Sequence, residues 1–326
     1  MRAVVHREYG SPDVLRLEET DEPVLRDDGV VVRVHAASVN PADWHLMRGE
    51  PRIARLSMGL RTPKHTVAGC DLAGQVEAVG KDVTAIRPGE EVYGSPFEHG
   101  LGALAERASL AADLLAPKPA NLSFEQAAAV PLAGMTALQA LRDHGRVEAG
   151  QRVLIVGASG GVGTFAVQIA KHFGAEVTGV CSARNNDLVR SIGADRVIDY
   201  TKEDFTRSAG RYDLILQLAG TQTPWELRRV LAPKGTLVPI SGDSPGRWIG
   251  PLGRAIKAMV LSPFVSQRIS IFTVKPNGED LRTLAELIEA GAVTPVIDRT
   301  YPLAEVPDAI RYLETGRARG KVVITV

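Results

Sequence analysis

The chain has 326 residues, and its 38 basic and 38 acidic side chains leave no formal net charge. A neutral chain of this length can bury a large core in two domains, and it lacks the basic excess of proteins that bind nucleic acids or membrane surfaces. Two cysteines, Cys70 and Cys181, are too few for a disulfide framework. With no signal-peptide pattern and no run of about 18 apolar residues, we expect a soluble, cytoplasmic protein without a membrane partner.

The first third of the chain reads as a β-rich domain. Short β-prone runs alternate with Gly and Pro turns, and they predict strands at 30–34, 74–79, 91–94, 102–108 and 114–118. Many short strands with such turns indicate a barrel-like β domain. Ser123 followed by Gln126 is a capping box, so the pattern changes there to a helix, and Pro131 begins a second helix.

From residue 153 onwards, strand and helix patterns alternate. The predicted strands are 153–156, 177–180, 196–198, 214–217, 237–240 and 269–274, with helices that begin near Gly161, Arg184, Thr223 and Gly278. This alternation is typical of an α/β fold with a doubly wound parallel sheet. Residues 245–263 interrupt it as an irregular insertion, which suggests a lid, a binding loop or a contact surface.

The chain is organised around the glycine-rich stretch 153–163, where an apolar strand runs through a turn into a helix. Gly157, Gly160 and Gly163 are spaced by two residues each, and Gly161 is added. Such a turn tolerates unusual φ angles, allows the backbone close to a pyrophosphate and presents the first N–H groups of the helix to it. We therefore predict a dinucleotide site, against the alternative of a tight turn without a ligand.

The end of the next strand indicates which dinucleotide is bound. An NAD site usually has an acidic residue there, which holds the ribose 2′-hydroxyl. This chain instead has Ser182 and Arg184, which could bind a 2′-phosphate, and no carboxylate that would repel it. The pattern favours NADPH, although Arg184 could also be a solvated residue at a helix start.

These motifs together resemble the zinc-independent, quinone-oxidoreductase-like branch of the medium-chain dehydrogenase/reductase family. The resemblance covers the whole length and rests on the glycine cluster and on the segments 38–43, 67–74, 128–137 and 320–323. It implies a GroES-like β-barrel catalytic domain at 1–125 and 296–326 and a Rossmann NADP-binding domain at 126–295. It also implies an active site in the cleft and a homodimer that joins Rossmann sheets at the edge strand 269–274.

The resemblance also shows what is missing, because zinc-dependent relatives carry Cys, a His-Glu pair and a further Cys or Asp around their metal. This chain has Asn40, Cys70, Asp71 and Leu132 near those positions. One Cys and one Asp do not make the three-ligand set of a catalytic zinc, and so we predict no metal site.

Catalysis then depends on polar side chains that assist hydride transfer from the nicotinamide. Asn40 is the candidate that orients substrate or cofactor, with a turn residue before Pro41 as the alternative. His45 is the candidate proton donor, in a place where some quinone reductases carry Tyr. For Asp43, a helix cap or Asx turn is the preferred interpretation.

Further cofactor contacts follow from position in the family pattern or in the predicted sheet. Thr136 resembles a residue beside the nicotinamide ribose, Tyr200 one near the 2′-phosphate, and Lys321 one near the pyrophosphate. For Lys321, a solvated terminal lysine is the alternative. Gly220 and Ser241 follow predicted strands at the carboxyl edge, where open sheets bind ligands. The complete predicted set is Thr136, Gly157, Ser159, Gly160, Gly161, Val162, Gly163, Ser182, Arg184, Asn185, Tyr200, Gly220, Ser241 and Lys321.

The sequence thus predicts an NADPH-dependent reductase of quinones, enones or related small carbonyl compounds. A zinc-free alcohol dehydrogenase is a second interpretation, less favoured because unactivated aldehydes need stronger polarisation than Asn40 and His45 obviously supply. A non-enzymatic NADPH-binding protein is a third, and it predicts tight cofactor binding without turnover.

Overall fold

The computed structural model describes residues 1–97, 100–207, 210–240 and 266–326. These residues form two compact units. The first comprises Met1–Met135, Lys275–Gly291 and Pro295–Val326, and the second comprises Thr136–Val274 and Ala292–Thr294. No helix among the described residues is long and apolar enough to cross a membrane.

The first unit is built on a mostly antiparallel sheet whose longest strand, β3, occupies residues Gly29–Val39. The order is β14-β15-β3-β4-β5-β7, and β6 also pairs with β3. β1 and β2 form a separate antiparallel pair. The strands are β1 (Arg2–Val5), β2 (Arg16–Glu19), β3, β4 (Asp71–Val79), β5 (Glu91–Gly94), β6 (Arg107–Ala111), β7 (Leu115–Pro117), β14 (Ile297–Pro302) and β15 (Lys321–Thr325).

Two apolar clusters hold this sheet. Val30, Val32 and Val34 of β3 pack with Leu72 and Val76 of β4 in one of them. In the other, residues of β3 and β15 pack against helical residues that include Met47, Val306 and Ile310. The helices of this unit are α1 (Pro41–Arg48), α2 (Arg55–Met58), α3 (Phe124–Ala128), the first half of α4 (Pro131–Gln139), α8 (Gly278–Glu289) and α9 (Val306–Glu314).

The second unit contains a six-stranded parallel sheet in the order β10-β9-β8-β11-β12-β13. Numbered along the sheet, this order is 3-2-1-4-5-6, the doubly wound topology of dinucleotide-binding folds, so the predicted fold class is confirmed. The strands are β8 (Arg152–Val156), β9 (Glu176–Cys181), β10 (Arg196–Asp199), β11 (Tyr212–Gln217), β12 (Leu231–Pro239) and β13 (Arg268–Ile269). The helices are α5 (Gly161–His172), α6 (Asn186–Ser191) and α7 (Pro224–Leu227), and α4 continues as a π-helical segment over Ala140–Gly145.

Several predicted elements change length. The strand predicted at 269–274 is only the two residues of β13, which lies at the edge of the sheet. The strand predicted at 102–108 begins only at Arg107, and β14 was not predicted at all. β14 could not be predicted from apolar periodicity, because it is exposed or half-buried throughout and lacks an apolar pattern.

Helix α8 lies in the first unit, although its sequence position suggested the nucleotide domain. The Tyr93 hydroxyl on β5 donates to the Leu281 carbonyl oxygen of α8 at 2.5 Å. A Cβ atom at Gly278 would lie 2.4 Å from the Leu115 carbonyl oxygen, so the start of α8 lies directly against β7. These contacts, which are distant in sequence, attach α8 to the barrel sheet.

Candidate active site

Strand β3 ends at Val39, so Asn40 lies at the start of helix α1. Asn40 is the extended N-cap residue of α1, and Pro41 takes the first helical position, where its missing N–H costs nothing. The Asp43 carboxylate accepts the Asn40 backbone N–H at 2.7 Å. Asp43 therefore caps the helix, the structural role that the sequence favoured for it.

Asn40 belongs to a buried polar group, which we call the Asp71 cluster, formed by Ser38, Asn40, Asp43, Cys70, Asp71 and Lys321. Asp71 opens β4 directly opposite Ser38 of β3. Its Oδ2 accepts the Ser38 hydroxyl and the Asn40 amide Nδ2, each at 2.9 Å, and its Oδ1 accepts the Leu132 backbone N–H at 2.9 Å. Both carboxylate oxygens are thus hydrogen-bonded, as a fully buried carboxylate requires.

Lys321 provides the positive charge of the Asp71 cluster. Its Nζ donates to Asn40 Oδ1 at 2.5 Å and lies 3.3 Å from Asp71 Oδ2 and 3.5 Å from the Val39 carbonyl oxygen. The side chain is 2% exposed. The family pattern predicted pyrophosphate as the partner of Lys321, whereas its ammonium contacts Asn40, Asp71 and the Val39 carbonyl oxygen.

Burial also affects the two remaining members of the cluster. It raises the pKa of Asp43 to about 6, with Asp71 adding to the shift, while hydrogen bonds from Cys70 and from the Asn40 N–H oppose it. Burial raises the pKa of the Cys70 thiol, and the neighbouring carboxylate of Asp43 raises it further. Cys70 therefore stays protonated at neutral pH instead of acting as a thiolate.

His45 lies in the middle of α1. Its Nδ1 is 3.1 Å from the Glu50 carbonyl oxygen, and its ring stacks on Trp44 with ring centroids 3.6 Å apart. A carbonyl oxygen only accepts, so Nδ1 carries the proton in this contact and Nε2 is the basic nitrogen of the neutral ring. The side chain is half-buried.

The glycine turn of the second unit has the form that a dinucleotide requires. Gly157 has φ +92°, and the N–H groups of Gly157 and Ala158 donate to the Val180 carbonyl oxygen at 3.0 and 3.1 Å. A Cβ atom at Gly163 would lie 2.2 Å from the Gly157 carbonyl oxygen, so the helix start packs closely on the turn. Gly160 is the N-cap of α5, with only an ordinary 3.5 Å contact at its missing Cβ.

The space at the missing Cβ of Gly160 lies beside the first residues of α5, Gly161 and Val162. Gly160 has no side chain to cap the helix, which leaves the first N–H groups available for an anion. Ser159 and Asn185 brace the turn, because Asn185 Nδ2 donates to the Ser159 hydroxyl oxygen at 2.8 Å and both residues are buried. The residues present fit a dinucleotide phosphate.

The predicted 2′-phosphate residues meet at the carboxyl ends of β9 and β10. Cys181 and Asp199 are register partners at these ends, so Ser182 and Tyr200 follow paired residues. The Tyr200 N–H donates to the Cys181 carbonyl oxygen at 3.2 Å, and the Tyr200 side chain is 57% exposed. Arg184, also exposed, lies two residues beyond Ser182. The structure thus brings these residues to one edge of the sheet.

Asp199 is a carboxylate at this edge that the sequence analysis missed. Its Oδ1 accepts the Thr201 hydroxyl at 2.7 Å and the Thr201 N–H at 3.0 Å. These bonds, the hydroxyl first, lower the pKa of Asp199, and so it remains ionised. The sequence could have indicated Asp199, because it lies one residue before the predicted cofactor residue Tyr200 at the end of β10.

The remaining predicted contacts lie on helix α4, after strand β11 or outside the described residues. Gly220, with φ +84°, follows β11, where Gln217 Nε2 donates to the Gln222 carbonyl oxygen at 2.8 Å. The side-chain Oε1 atoms of Gln217 and Gln222 are buried without a partner among the described residues. Thr136 is buried on α4. Ser241 and the insertion at 245–263 fall outside the described residues.

Comparisons with known proteins identify the family. Residues 26–120 match the family model described as an alcohol dehydrogenase GroES-like domain, and residues 192–324 match one described as a zinc-binding dehydrogenase. The chain is 37% identical to 2-methylene-furan-3-one reductase of Solanum lycopersicum over 99% of this chain and 79% of that protein. It is 36% identical to the chloroplastic NADPH-dependent alkenal/one oxidoreductase of Arabidopsis thaliana, with the same coverage of both chains.

A solved structure agrees over the whole length. The quinone oxidoreductase from Coxiella burnetii superposes with a TM-score of 0.86 at 32% identity, covering 100% of this chain and 99% of that one. The chain therefore belongs to the zinc-independent medium-chain dehydrogenase/reductase family and is an NAD(P)H-dependent oxidoreductase. The described residues contain no group of three or more His, Cys, Asp or Glu side chains that could hold a metal ion.

Proposed function

We propose that this protein is an NADPH-dependent reductase of quinones or α,β-unsaturated carbonyl compounds and that it acts as a homodimer. The observation that carries the cofactor preference is the edge formed by β9 and β10, where Ser182, Arg184 and Tyr200 follow strand ends that are paired with each other. Guanidinium and hydroxyl groups suit a 2′-phosphate. Cytoplasmic location stays a prediction, and one of the relatives above is named as chloroplastic.

The residues that would hold NADPH fall into three groups. The glycine turn, from Gly157 through Ser159 to Gly163, would take the pyrophosphate at the start of α5. Ser182, Arg184, Asn185 and Tyr200 would surround the 2′-phosphate ribose. Thr136 and Gly220 would contact the nicotinamide side. When bound, NADPH supplies a hydride, which is the chemistry that the chain's own side chains cannot provide.

Residues of the first unit would complete the reduction. A hydride leaves an acceptor with extra negative charge on its carbonyl or quinone oxygen, and a proton must follow to give the neutral product. The Asn40 amide can donate a hydrogen bond to that oxygen, and His45 in its imidazolium form can deliver a proton and regain one from solvent. Electron-poor quinones and enones suit this site, because one amide and one imidazole polarise a carbonyl less than a metal ion does.

The substrate class is tested by NADPH consumption with a benzoquinone, an aliphatic enone and an unactivated aldehyde, each with and without a chelator. We expect turnover of the quinone or the enone at a rate that the chelator leaves unchanged. Turnover of the aldehyde alone would instead establish the alcohol dehydrogenase interpretation. Tight NADPH binding with no turnover of any of the three would support the non-enzymatic interpretation.

The cofactor preference is tested by Arg184→Ala and Arg184→Asp. Removing the guanidinium should raise the KM for NADPH about 10-fold or more, and the carboxylate should raise it further, with little effect on the KM for NADH. Arg190→Ala is the matched control, because Arg190 is an exposed arginine on α6 that lies 3.8 Å from Asp187. An unchanged NADPH KM in both Arg184 variants would show that the 2′-phosphate assignment is wrong.

A further inference from the structure

We propose that Lys321 is a positioning residue, which orients and polarises the Asn40 amide so that it donates to the acceptor oxygen during reduction. The proposal rests on the proposed function and extends it to the Asp71 cluster. Lys321 opens β15, whose next residue, Val322, pairs with Val39 of β3. The pairing places the lysine side chain beside the residue where β3 gives way to α1.

The contacts of Lys321 determine which way the Asn40 amide faces. The ammonium can only donate, so the atom of Asn40 that it contacts at 2.5 Å must be the carbonyl Oδ1. The amide Nδ2 then points at Asp71 Oδ2, a carboxylate that can only accept, at 2.9 Å. The opposite orientation would place N–H against ammonium and carbonyl against carboxylate, and it is excluded on both sides.

This arrangement leaves Asn40 with one uncommitted amide hydrogen. Nδ2 carries two hydrogens, and one of them is used by Asp71. Among the described residues, no partner takes the second one. Asn40 is 5% exposed, so this amide is held largely out of water.

The ammonium also strengthens Asn40 as a donor. The Lys321 ammonium beside Oδ1 draws electron density from the amide, which makes the Asn40 N–H a better hydrogen-bond donor. The low dielectric of the buried site enhances the effect. Donors of fixed orientation that are aimed at a developing negative charge give the largest benefit in the transition state. Lys321 would therefore contribute without contacting the substrate.

Binding of pyrophosphate by Lys321 is less compatible with these contacts. Its ammonium is 2% exposed and neutralises Asp71, so moving it to a phosphate would leave a buried carboxylate without its counter-charge. The two roles make different predictions. A phosphate ligand would act on NADPH binding, whereas a positioning residue would act on kcat through Asn40.

The test is a double-mutant cycle of Lys321→Met and Asn40→Ala. Wild type, both single variants and the double variant are assayed for kcat, for acceptor KM and for NADPH Kd by fluorescence. We expect each single variant to lose about 10²-fold in kcat, with NADPH Kd changed less than 3-fold. The double variant should lose less than 3-fold more than Asn40→Ala alone, because Lys321 acts only through Asn40.

Two further variants separate this effect from folding. Asp71→Asn/Lys321→Met removes both charges together, and it should fold and show the same loss of kcat. Lys118→Met is the matched control, since Lys118 is a lysine of the first unit whose side chain is only 6% exposed and which donates to the Pro119 and Leu122 carbonyl oxygens. It should lose stability with kcat unchanged. Additive losses in the cycle, or a 10-fold weaker NADPH affinity with kcat retained, would overturn the proposal.

A readout without turnover distinguishes this proposal from the proposed function. The two side-chain amide protons of Asn40, assigned in ¹⁵N spectra by their loss in Asn40→Ala, should have well-separated shifts in the wild type. In Asp71→Asn/Lys321→Met they should move towards the values of a solvated amide. If the wild type turned over no acceptor, the proposed function would fail while these shifts still tested Lys321. Unchanged shifts would overturn the positioning role.

Discussion

At the scale of single residues, Asp43 combines a structural task with an electrostatic cost. Its Oδ2 caps α1 through the Asn40 N–H, but its Oδ1 is buried without a partner among the described residues. Burial is the main reason why the pKa of Asp43 rises from 3.8 to about 6. Above that pH the native state therefore contains an ionised carboxylate that the unfolded chain would hold more favourably in water.

We expect Asp43→Asn to gain stability relative to the wild type as the pH rises from 4.5 to 7.5. The folded pKa lies above the unfolded one, so the wild type loses stability from this group between about pH 4 and 6, by roughly 3 kcal/mol in total. The variant has no group to ionise there. Urea unfolding of both proteins at the two pH values measures the difference.

Asp13→Asn provides a control of opposite sign. Asp13 is exposed, and hydrogen bonds from Ser11 and then Arg311 lower its pKa. Its ionised form is favoured in the native state, so this variant should lose stability relative to the wild type as the pH rises. A stability difference between Asp43→Asn and the wild type that is the same at both pH values would contradict the assignment for Asp43.

At the scale of elements, two glycines in the strand–turn–helix of the second unit have different roles. Gly163 allows close packing, whereas Gly160 leaves space beside the start of α5. Gly163→Ala places a Cβ atom 2.2 Å from the Gly157 carbonyl oxygen, which cannot move without distorting the turn. We expect a loss of about 1–3 kcal/mol in the free energy of unfolding, together with weaker NADPH binding. Thermal unfolding and NADPH titration measure the two effects.

Gly160→Ala is the matched variant in the same turn. Its Cβ atom would meet only the Gly157 carbonyl oxygen at an ordinary 3.5 Å, and its φ of −83° suits any residue. We expect stability close to that of the wild type but a higher KM for NADPH, because the methyl group would occupy the space beside the helix N-terminus. Normal NADPH affinity in this variant would place the phosphates elsewhere.

At the scale of the whole molecule, β13 forms one edge of the parallel sheet among the described residues. The Ser270 N–H donates to the Leu237 carbonyl oxygen of β12 at 2.9 Å, so the neighbouring N–H groups in this extended stretch point away from the sheet. Ile271, just beyond β13, is 38% exposed. The exposed edge of a sheet can pair with a strand of another chain.

We expect the wild type to have about twice the chain mass of 34.9 kDa in light scattering, and Ile271→Lys to shift it towards the monomer. A charge on the edge opposes strand pairing between copies. Leu56→Lys serves as the control, because Leu56 is a 72% exposed residue of the first unit. A monomeric wild type, or a variant that stays dimeric, would contradict pairing through this edge.

Much of the fold could be predicted because its signals are local. The capping box at Ser123 and Gln126 is confirmed at the start of α3, and the glycine turn joins β8 to α5 as predicted. Other elements carry no local signal. β14 has no apolar face, and α8 follows the nucleotide-binding sequence but is attached to the first unit by Tyr93, 188 positions away from Leu281.

The sequence by itself determined the parallel sheet, the glycine turn and the residues at the end of β9, since hydrophobic period and turn chemistry act over a few neighbouring positions. Only the tertiary structure decided which groups Lys321 contacts. From sequence, this lysine was indistinguishable from a phosphate ligand near the C-terminus. Lys321 is 281 positions from Asn40 in the chain, but the pairing of β15 with β3 brings its Nζ to 2.5 Å from Asn40 Oδ1. The Asp71 carboxylate beside it supplies the counter-charge that a buried ammonium needs.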